Sequence, residues 1–444
     1  MLYSEHLFAA LLAKLRCPLF QTACKMNPKD FTRQRLLPFM DVMRLLLQGV
    51  YSSTHLYLTQ LFARDPQDAV PTKSAFCRAR YKLRSEALRL LNDLVIDHFY
   101  AHAPYRRFSD RFVVLAADGS TLQLPSSTEL VAHFGVMDNK QGGTPSCLAK
   151  VLKVYDVLNE LTLSSFLSPY AVNEIATFKA HYEDLGNLAK RLPLPAILTG
   201  DVAYPSFINF HTLPNLGMNF VFRCKKDLIL EFTDLFALGK SSGWVDIDMN
   251  AAKRKDHLRR KKDIQHRDDF PNQLRLRVYR KVDPRTKEVF VLVTNLNETQ
   301  ISDAQLDELY RLRWGVETSL RFDKCVLKVE QWASKKVQGI EQEWYATVLE
   351  ANLTAILAQE AQTQLDAQVR PADQHPQKVN RTYALGLVRQ TLNLVLDQRI
   401  SIQTFCQQTV QLITQHHEPV RPNRSAPRKR KHNIKYHLNY RPIS

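Results

Sequence analysis

Apolar residues change their spacing several times along this chain, and each change predicts a change of architecture. From residue 1 to about 105 they recur every three or four positions, as in "RQRLLPFMDVMRLLLQGV" and "SSTHLYLTQLF". That spacing predicts helices throughout, with Ser52 or Ser53 as an N-cap. "VPTKSAFCRARYKLRSEALRLLNDLVIDHF" predicts a further helix starting at Pro71 and Thr72. Near residue 106 the spacing shortens. "RFVVLAADGSTLQLP" reads as a buried strand, a turn and a second strand, and "AKVLKVYDVLNELTLSSFLSP" as a hairpin turning at Asn159 and Glu160. "EIATFKAHYEDLGNLAKRL" reads as a helix, "PAILTGDVAYPSFINF" as a buried strand entering a helix, and "MNFVFRCKK" as a short strand. Hairpins followed by alternating strands and helices predict a mixed α/β sheet covered by helices.

From about 226 to 295, "SSGWVDIDM", "QLRLRVYRKV" and "KEVFVLVTNL" predict a β-strand insertion, interrupted by the charged run "KRKDHLRRKKD". Helical spacing returns in "SDAQLDELYRLRWGVETSLRFDK", capped by Ser302, and in "EQEWYATVLEANLTAILAQ". A polar linker, two amphipathic helices and a basic tail without acidic residues follow. The expected units are therefore 1–105, 106–225, the insertion 226–295, 296–365, and the helical C-terminal region with its tail, 366–444.

Within the returning helix, Tyr310, Arg313, Glu317 and Lys324 fall at about 0°, 300°, 340° and 320° on a helical wheel, an arc of roughly 60°. Leu309, Leu312, Val316 and Leu320 run beside it, so a carboxylate and two cations lie at the edge of the core. A solvated helix would carry its charges on the opposite side.

Charge changes the picture further. The net charge of +17 favours polyanions, nucleic acid above all. Lys73, Arg78, Arg80 and Lys82 make the third N-terminal helix basic, which suits either helix-turn-helix-like DNA contact or a solvated face of a bundle. The seven cysteines are dispersed without metal-ligand spacing, which argues against zinc and for a reducing cytoplasm. Lys14 interrupts the N-terminal apolar run, and no apolar run is long enough to span a membrane.

Asp118 and Asp201 each end a predicted buried strand, where an unpaired carboxylate is costly. Taken singly, Asp118 could initiate a turn with Gly119, and Asp201 could cap the helix starting near Pro205. Together with Glu317 they form an oxygen-only donor set suited to Mg²⁺, which retains water and takes ligands from substrate phosphate. Two such ions can drive an in-line displacement.

The order Asp, Asp, Glu, with the glutamate inside Tyr-(2)-Arg-(3)-Glu-(6)-Lys, resembles the DDE transposases of the insertion-sequence-four family. Asp118 in "AADGSTL" and Asp201 in "LTGDVAYPSF" stand as the family aspartates do, with Ala203 where that family commonly has glycine. "FTRQRLLPF" and "KSAFCRARYKL" resemble its DNA-binding region. The resemblance implies an RNase H-like catalytic fold and metal coordination by Asp118, Asp201 and Glu317, with Mg²⁺ (or Mn²⁺) as a pair of ions in two-metal chemistry. Arg313 and Lys324 would contact phosphates of the transposon end, and Tyr310 would hydrogen-bond or stack there. The bland alternatives are an Arg313–Glu317 ion pair and a solvated Lys324. Trp314 reads as packing, while Trp244 reads either as a structural residue or as a platform for an extruded base. Lys253, Arg254, Arg259 and Arg260 would lie along flanking DNA or in solvent.

The activity implied is strand cleavage and strand transfer at terminal inverted repeats by a homodimer on paired ends, through a hairpin, in the cytoplasm at the nucleoid. A catalytically silent DNA-binding derivative and an RNase H-like nuclease without strand transfer are the alternatives. The intact acidic triad favours the enzyme.

Overall fold

The structure is a computed structural model and describes residues 2–33, 36–49, 53–63, 65, 67–137, 145–225, 230–249, 271–282, 287–368 and 375–421. Six helices come first: α1 (Tyr3–Arg16), α2 (Pro18–Ala23), α3 (Phe39–Leu47), α4 (Thr54–Phe62), α5 (Lys73–Arg80) and α6 (Glu86–His102). The run expected as one helix from Pro71 is two, α5 and α6, separated by a turn. Thr72 caps α5 by accepting from the Ala75 N–H at 3.1 Å. Ser53 stands at the N-cap of α4 but makes no side-chain cap bond, and Ser52 lies outside the described residues.

Among the described residues, nine strands form one mixed sheet. They are β1 (Val113–Gln123), β2 (Val136–Met137), β3 (Ser146–Asp156), β4 (Leu161–Pro169), β5 (Ala196–Gly200), β6 (Met218–Cys224), β7 (Ser242–Asp248), β8 (Gln273–Val282) and β9 (Val289–Thr294). The order is β2-β3-β1-β5-β6-β9-β8-β7, with β4 also paired to β3. β1 is antiparallel to β3 and parallel to β5, and β5 is parallel to β6. The β3–β4 hairpin turns where expected, with Glu160 in the left-handed region at φ 55°.

One expectation is corrected here. "RFVVLAADGSTLQLP" holds no turn: β1 runs unbroken through Asp118 and Gly119, because β3 stays paired to it from Asp156 to Leu148. The strands of the 226–295 stretch join the same sheet. β9 pairs antiparallel with β6, and β8 and β7 extend the same sheet outward.

Between and after the strands come α7 (Thr128–Phe134), α8 (Glu174–Ala180), α9 (Tyr182–Arg191), α10 (Phe207–Asn215), α11 (Leu230–Ala237), α12 (Asp303–Leu312), α13 (Trp314–Cys325), α14 (Val337–Asp366), α15 (Arg381–Leu396) and α16 (Ile402–Gln415). The segment expected as one helix from Glu174 is split at His181 into α8 and α9. The sheet's two faces pack differently. Alternate residues of β1, Val113, Leu115 and Ala117, join a core with Phe178, Tyr204 and the long α14. Leu7, Phe8 and Leu11 of α1 and Phe405 of α16 belong to that same core, so N- and C-terminal helices share α14 as their support. The other face carries α12 and α13: Leu306 and Leu309 pack with Val114 and Ile197, and Val316 with Ala116 and Tyr155.

Ser302 caps α12 in a full capping box with Gln305. The helix is then interrupted at Arg313. Its backbone stays right-handed (φ −50°, ψ −35°), but the Arg313 N–H bonds the Tyr310 carbonyl and the Val316 N–H bonds the Arg313 carbonyl, both three residues back. Tyr310 and Glu317 therefore lie on two successive helices, and one uninterrupted helical wheel does not describe all four signature positions.

Candidate active site

Asp118 sits midway along β1, where that strand loses a neighbour. Pairing with β5 ends at Ala116 opposite Thr199, while pairing with β3 continues to Gln123. This opening explains why burial falls at Asp118 in mid-strand. Asp201 follows directly on β5, immediately after Gly200. Its Oδ1 accepts the Ala203 N–H at 2.8 Å in a tight local turn. It does not cap the next helix: α10 begins at Phe207 and is capped by Ser206.

α13 brings Glu317 onto the face of β1 that carries Asp118. Two contacts pin this helix. Lys153, Asp118's cross-strand partner on β3, is 1% exposed and donates to Ser319 Oγ and to Asp323 Oδ2, each at 2.6 Å. Lys324 Nζ donates to the Thr121 carbonyl of β1 at 2.6 Å, so this lysine is a strap rather than a solvated charge. Arg313 is buried and makes the ion pair with Glu317 at 2.7 Å, leaving its Nε without a partner. The rings of Tyr310 and Trp314 lie 5.6 and 5.2 Å from that guanidinium. Tyr310 is half-buried against the α12 core. Trp314, expected to pack, is 59% exposed at the rim.

The acids act on one another. Burial, then the Glu174 carboxylate and then Glu317, push the Asp118 pKa up to about 7, against the opposing pull of the Gly119 N–H and Arg313. Burial and Asp201 raise Glu174 in turn, while a hydrogen bond from Tyr204 works the other way. Glu174 carries no motif of its own, and nothing in the sequence around it marks it as a neighbour of Asp118.

The donor set fits Mg²⁺ in kind, all oxygen and short of positive charge. Among the described residues, however, no three ligand-type side chains stand close enough to hold one ion, and Glu317 is engaged by Arg313. These side chains would have to converge further to coordinate it.

The other expected DNA contacts divide. Arg80 is 1% exposed and donates to Gln342 at 2.9 Å, Glu343 at 2.7 Å and the Gly339 carbonyl at 3.0 Å. It braces α5 against α14 and is turned away from any surface partner. Lys73 and Arg78 are exposed, and Lys82 stands 3.9 Å from Asp30. Arg78 and Lys82 line a cleft of about 850 Å³ together with Phe31 and Arg33 of the "FTRQRLLPF" segment and with Lys29, which was not singled out from the sequence. Trp244 on β7 is half-buried, donates to Glu298 at 3.1 Å and lies under Arg275, a structural setting. Lys253, Arg254, Arg259 and Arg260 lie outside the described residues. No described helix is long and apolar enough to cross a membrane.

No curated protein matches the chain. Among solved structures, it is similar to the cryo-EM structure of a piggyBac transposase synaptic complex with hairpin DNA, at 12% identity and a TM-score of 0.40 over 92% of this chain and 75% of that one. At that distance the likeness bears on neither fold nor activity. The model of the transposase DDE domain matches residues 110–353, more than half of the chain and the stretch holding Asp118, Glu174, Asp201 and Glu317. The chain belongs to the transposase DDE-domain family and is a DDE transposase, an enzyme acting on DNA.

Proposed function

We propose that this transposase is of the insertion-sequence-four type, with an RNase H-like catalytic core, and that it mobilises an element by cutting and rejoining DNA at terminal inverted repeats. The observation carrying the proposal is the grouping of acids from three elements at the opening beside β1: Asp118 within it, Asp201 beyond β5 and Glu317 on α13. The order β4-β3-β1-β5-β6, antiparallel and then parallel, supports the RNase H-like reading.

Asp118, Asp201 and Glu317 would hold Mg²⁺, or Mn²⁺ in its place, as a pair of ions. Bound metal supplies activation of the attacking oxygen and stabilisation of the leaving one. This chain's own groups orient the DNA. Arg313, whose Nε is a buried donor without an acceptor, suits a phosphate oxygen. Tyr310 lies beside it, exposed Trp314 offers an apolar rim, and Lys324 would reach a phosphate only by releasing the Thr121 carbonyl. The cleft with Lys29, Arg33, Arg78 and Lys82 suits the phosphates of the bound end. Cleavage at each end, hairpin formation on the transposon end, resolution and attack on target DNA would follow in a homodimer on paired ends, at the nucleoid.

The test uses DNA flanking the gene as substrate. Wild type is expected to nick it in Mg²⁺ and to yield hairpin and strand-transfer products, whereas Glu317→Gln binds the DNA and leaves it intact. Equal nicking by both proteins refutes the catalytic assignment. Binding without nicking by wild type identifies a silent derivative, and nicking without joining identifies a nuclease.

A further inference from the structure

Gly119 and Gly200 adjoin the two aspartates, and neither adopts a left-handed backbone. What they supply is space. A methyl group on Gly119 would stand 2.6 Å from Glu174 Oε2, and one on Gly200 would stand 2.8 Å from the Tyr204 ring and 2.9 Å from the Phe222 ring. The two neighbours thus admitted bond each other: Tyr204, wholly buried, donates its hydroxyl to Glu174 Oε1 at 2.5 Å.

Tyr204 is itself fixed to the turn of the second aspartate. Its N–H bonds the Asp201 carbonyl at 3.3 Å, and its own carbonyl accepts from Asn209 Nδ2 at 2.5 Å. At the other end, the Gly119 N–H donates to Asp118 Oδ1 at 2.9 Å. One path of contacts therefore runs from Asp118 through Gly119, Glu174 and Tyr204 to Asp201. Successive strand residues face opposite sides, so Glu174 meets β1 on the face away from α13. The aspartates are thus held from behind, independently of the helix that carries Glu317.

A carboxylate set between two others, on the core side of a sheet, is a costly choice where an apolar residue would pack. We propose that Glu174 is a positioning residue of the active site: wedged against Gly119 and bonded by Tyr204, it ties the Asp201 turn to the Asp118 strand and sets the spacing of the two aspartates for a divalent cation. This inference rests on the assignment of Asp118 and Asp201 as metal-binding acids.

The experiment measures the Mg²⁺ dependence of nicking on the flanking-DNA substrate for wild type, Tyr204→Phe and Glu174→Gln, with Asp118→Asn as control and thermal melting alongside. Tyr204→Phe keeps the ring and the buried shape but removes the tie. Glu174→Gln keeps the shape and removes the charge. Each is expected to raise the Mg²⁺ concentration for half-maximal nicking by about tenfold, the usual scale for groups that orient metal ligands, with rate recovered at saturating metal. A role in stability alone would lower the melting temperature and the active fraction without moving that midpoint. Wild-type midpoints in both variants, beside an inactive Asp118→Asn, overturn the role of Glu174. Wild-type nicking by Asp118→Asn overturns the underlying assignment of the site instead.

Discussion

Asp118→Asn is expected to stabilise the metal-free protein at alkaline pH, although it abolishes activity. Burial and neighbouring acids raise the Asp118 pKa from 3.8 to about 7. A folded-state value above the unfolded one means that the folded chain holds more protons between those pH values. Stability therefore falls as pH rises from about 4 through about 7 and is level above that. At about 1.36 kcal/mol per pH unit the cost at pH 8 has a ceiling of about 4 kcal/mol. Partial exposure and the sharing of charge among several acids reduce this to roughly 1–3 kcal/mol. Asparagine keeps the shape and can still accept from the Gly119 N–H, but carries no charge. At roughly 2–4 °C per kcal/mol, its melting temperature in EDTA at pH 8 should exceed wild type by about 2–12 °C. The gap should shrink toward zero near pH 4, and Mg²⁺ should close it at pH 8 by raising wild type alone. Calorimetry across this pH range decides the matter. An Asp118→Asn variant no more stable than wild type at pH 8, or a gap independent of pH, refutes the electrostatic account of the site.

Two further pairs of variants test what surrounds it. Arg80→Met should cost about 3–5 kcal/mol in urea denaturation, because it breaks the buried pair with Glu343 and the bonds to Gln342 and the Gly339 carbonyl. Arg78→Ala should change stability by less than about 0.5 kcal/mol, yet lower DNA affinity and reduce its salt dependence by about one counterion. Lys153→Met alone should likewise cost about 3–5 kcal/mol by stranding buried Asp323, whereas the double variant Lys153→Met/Asp323→Leu should return close to wild-type stability, as denaturation midpoints would show.

Local patterns made much of this fold legible. The β3–β4 hairpin, the β5 strand entering a helix and the Ser302 cap all follow from spacing and cap chemistry within a few residues. What escaped depends on partners distant in the chain. "ADG" reads as a turn because Asp-Gly favours one, but β3 holds the segment straight, and only the early end of β5 opens it. Arg80 reads as one of a basic series, although it falls on the buried side with Phe76 and Leu83, four residues before and three after it. That signal was present. Glu174 had none, since Tyr204 lies 30 residues away and the wedge against Gly119 exists only once the sheet has formed. Lys153 carries no local signal of its burial in "VLKVYD", because its partner Asp323 lies 170 residues away. The signature helix was visible, but its interruption at Arg313 was not: no proline marks it, and Gly315 next to it meets Val157 at the β3–β4 turn.

Thiol substitution tests whether Asp118, Asp201 and Glu317 touch the catalytic metal. Each acid is replaced in turn by cysteine, whose sulfur binds Mg²⁺ poorly and Mn²⁺ better, and nicking of the flanking DNA is measured in each metal. All three variants should be inactive in Mg²⁺, and Mn²⁺ should restore nicking. Wild-type nicking in Mg²⁺ by any one of them would remove that residue from the metal site, and by all three would remove the site.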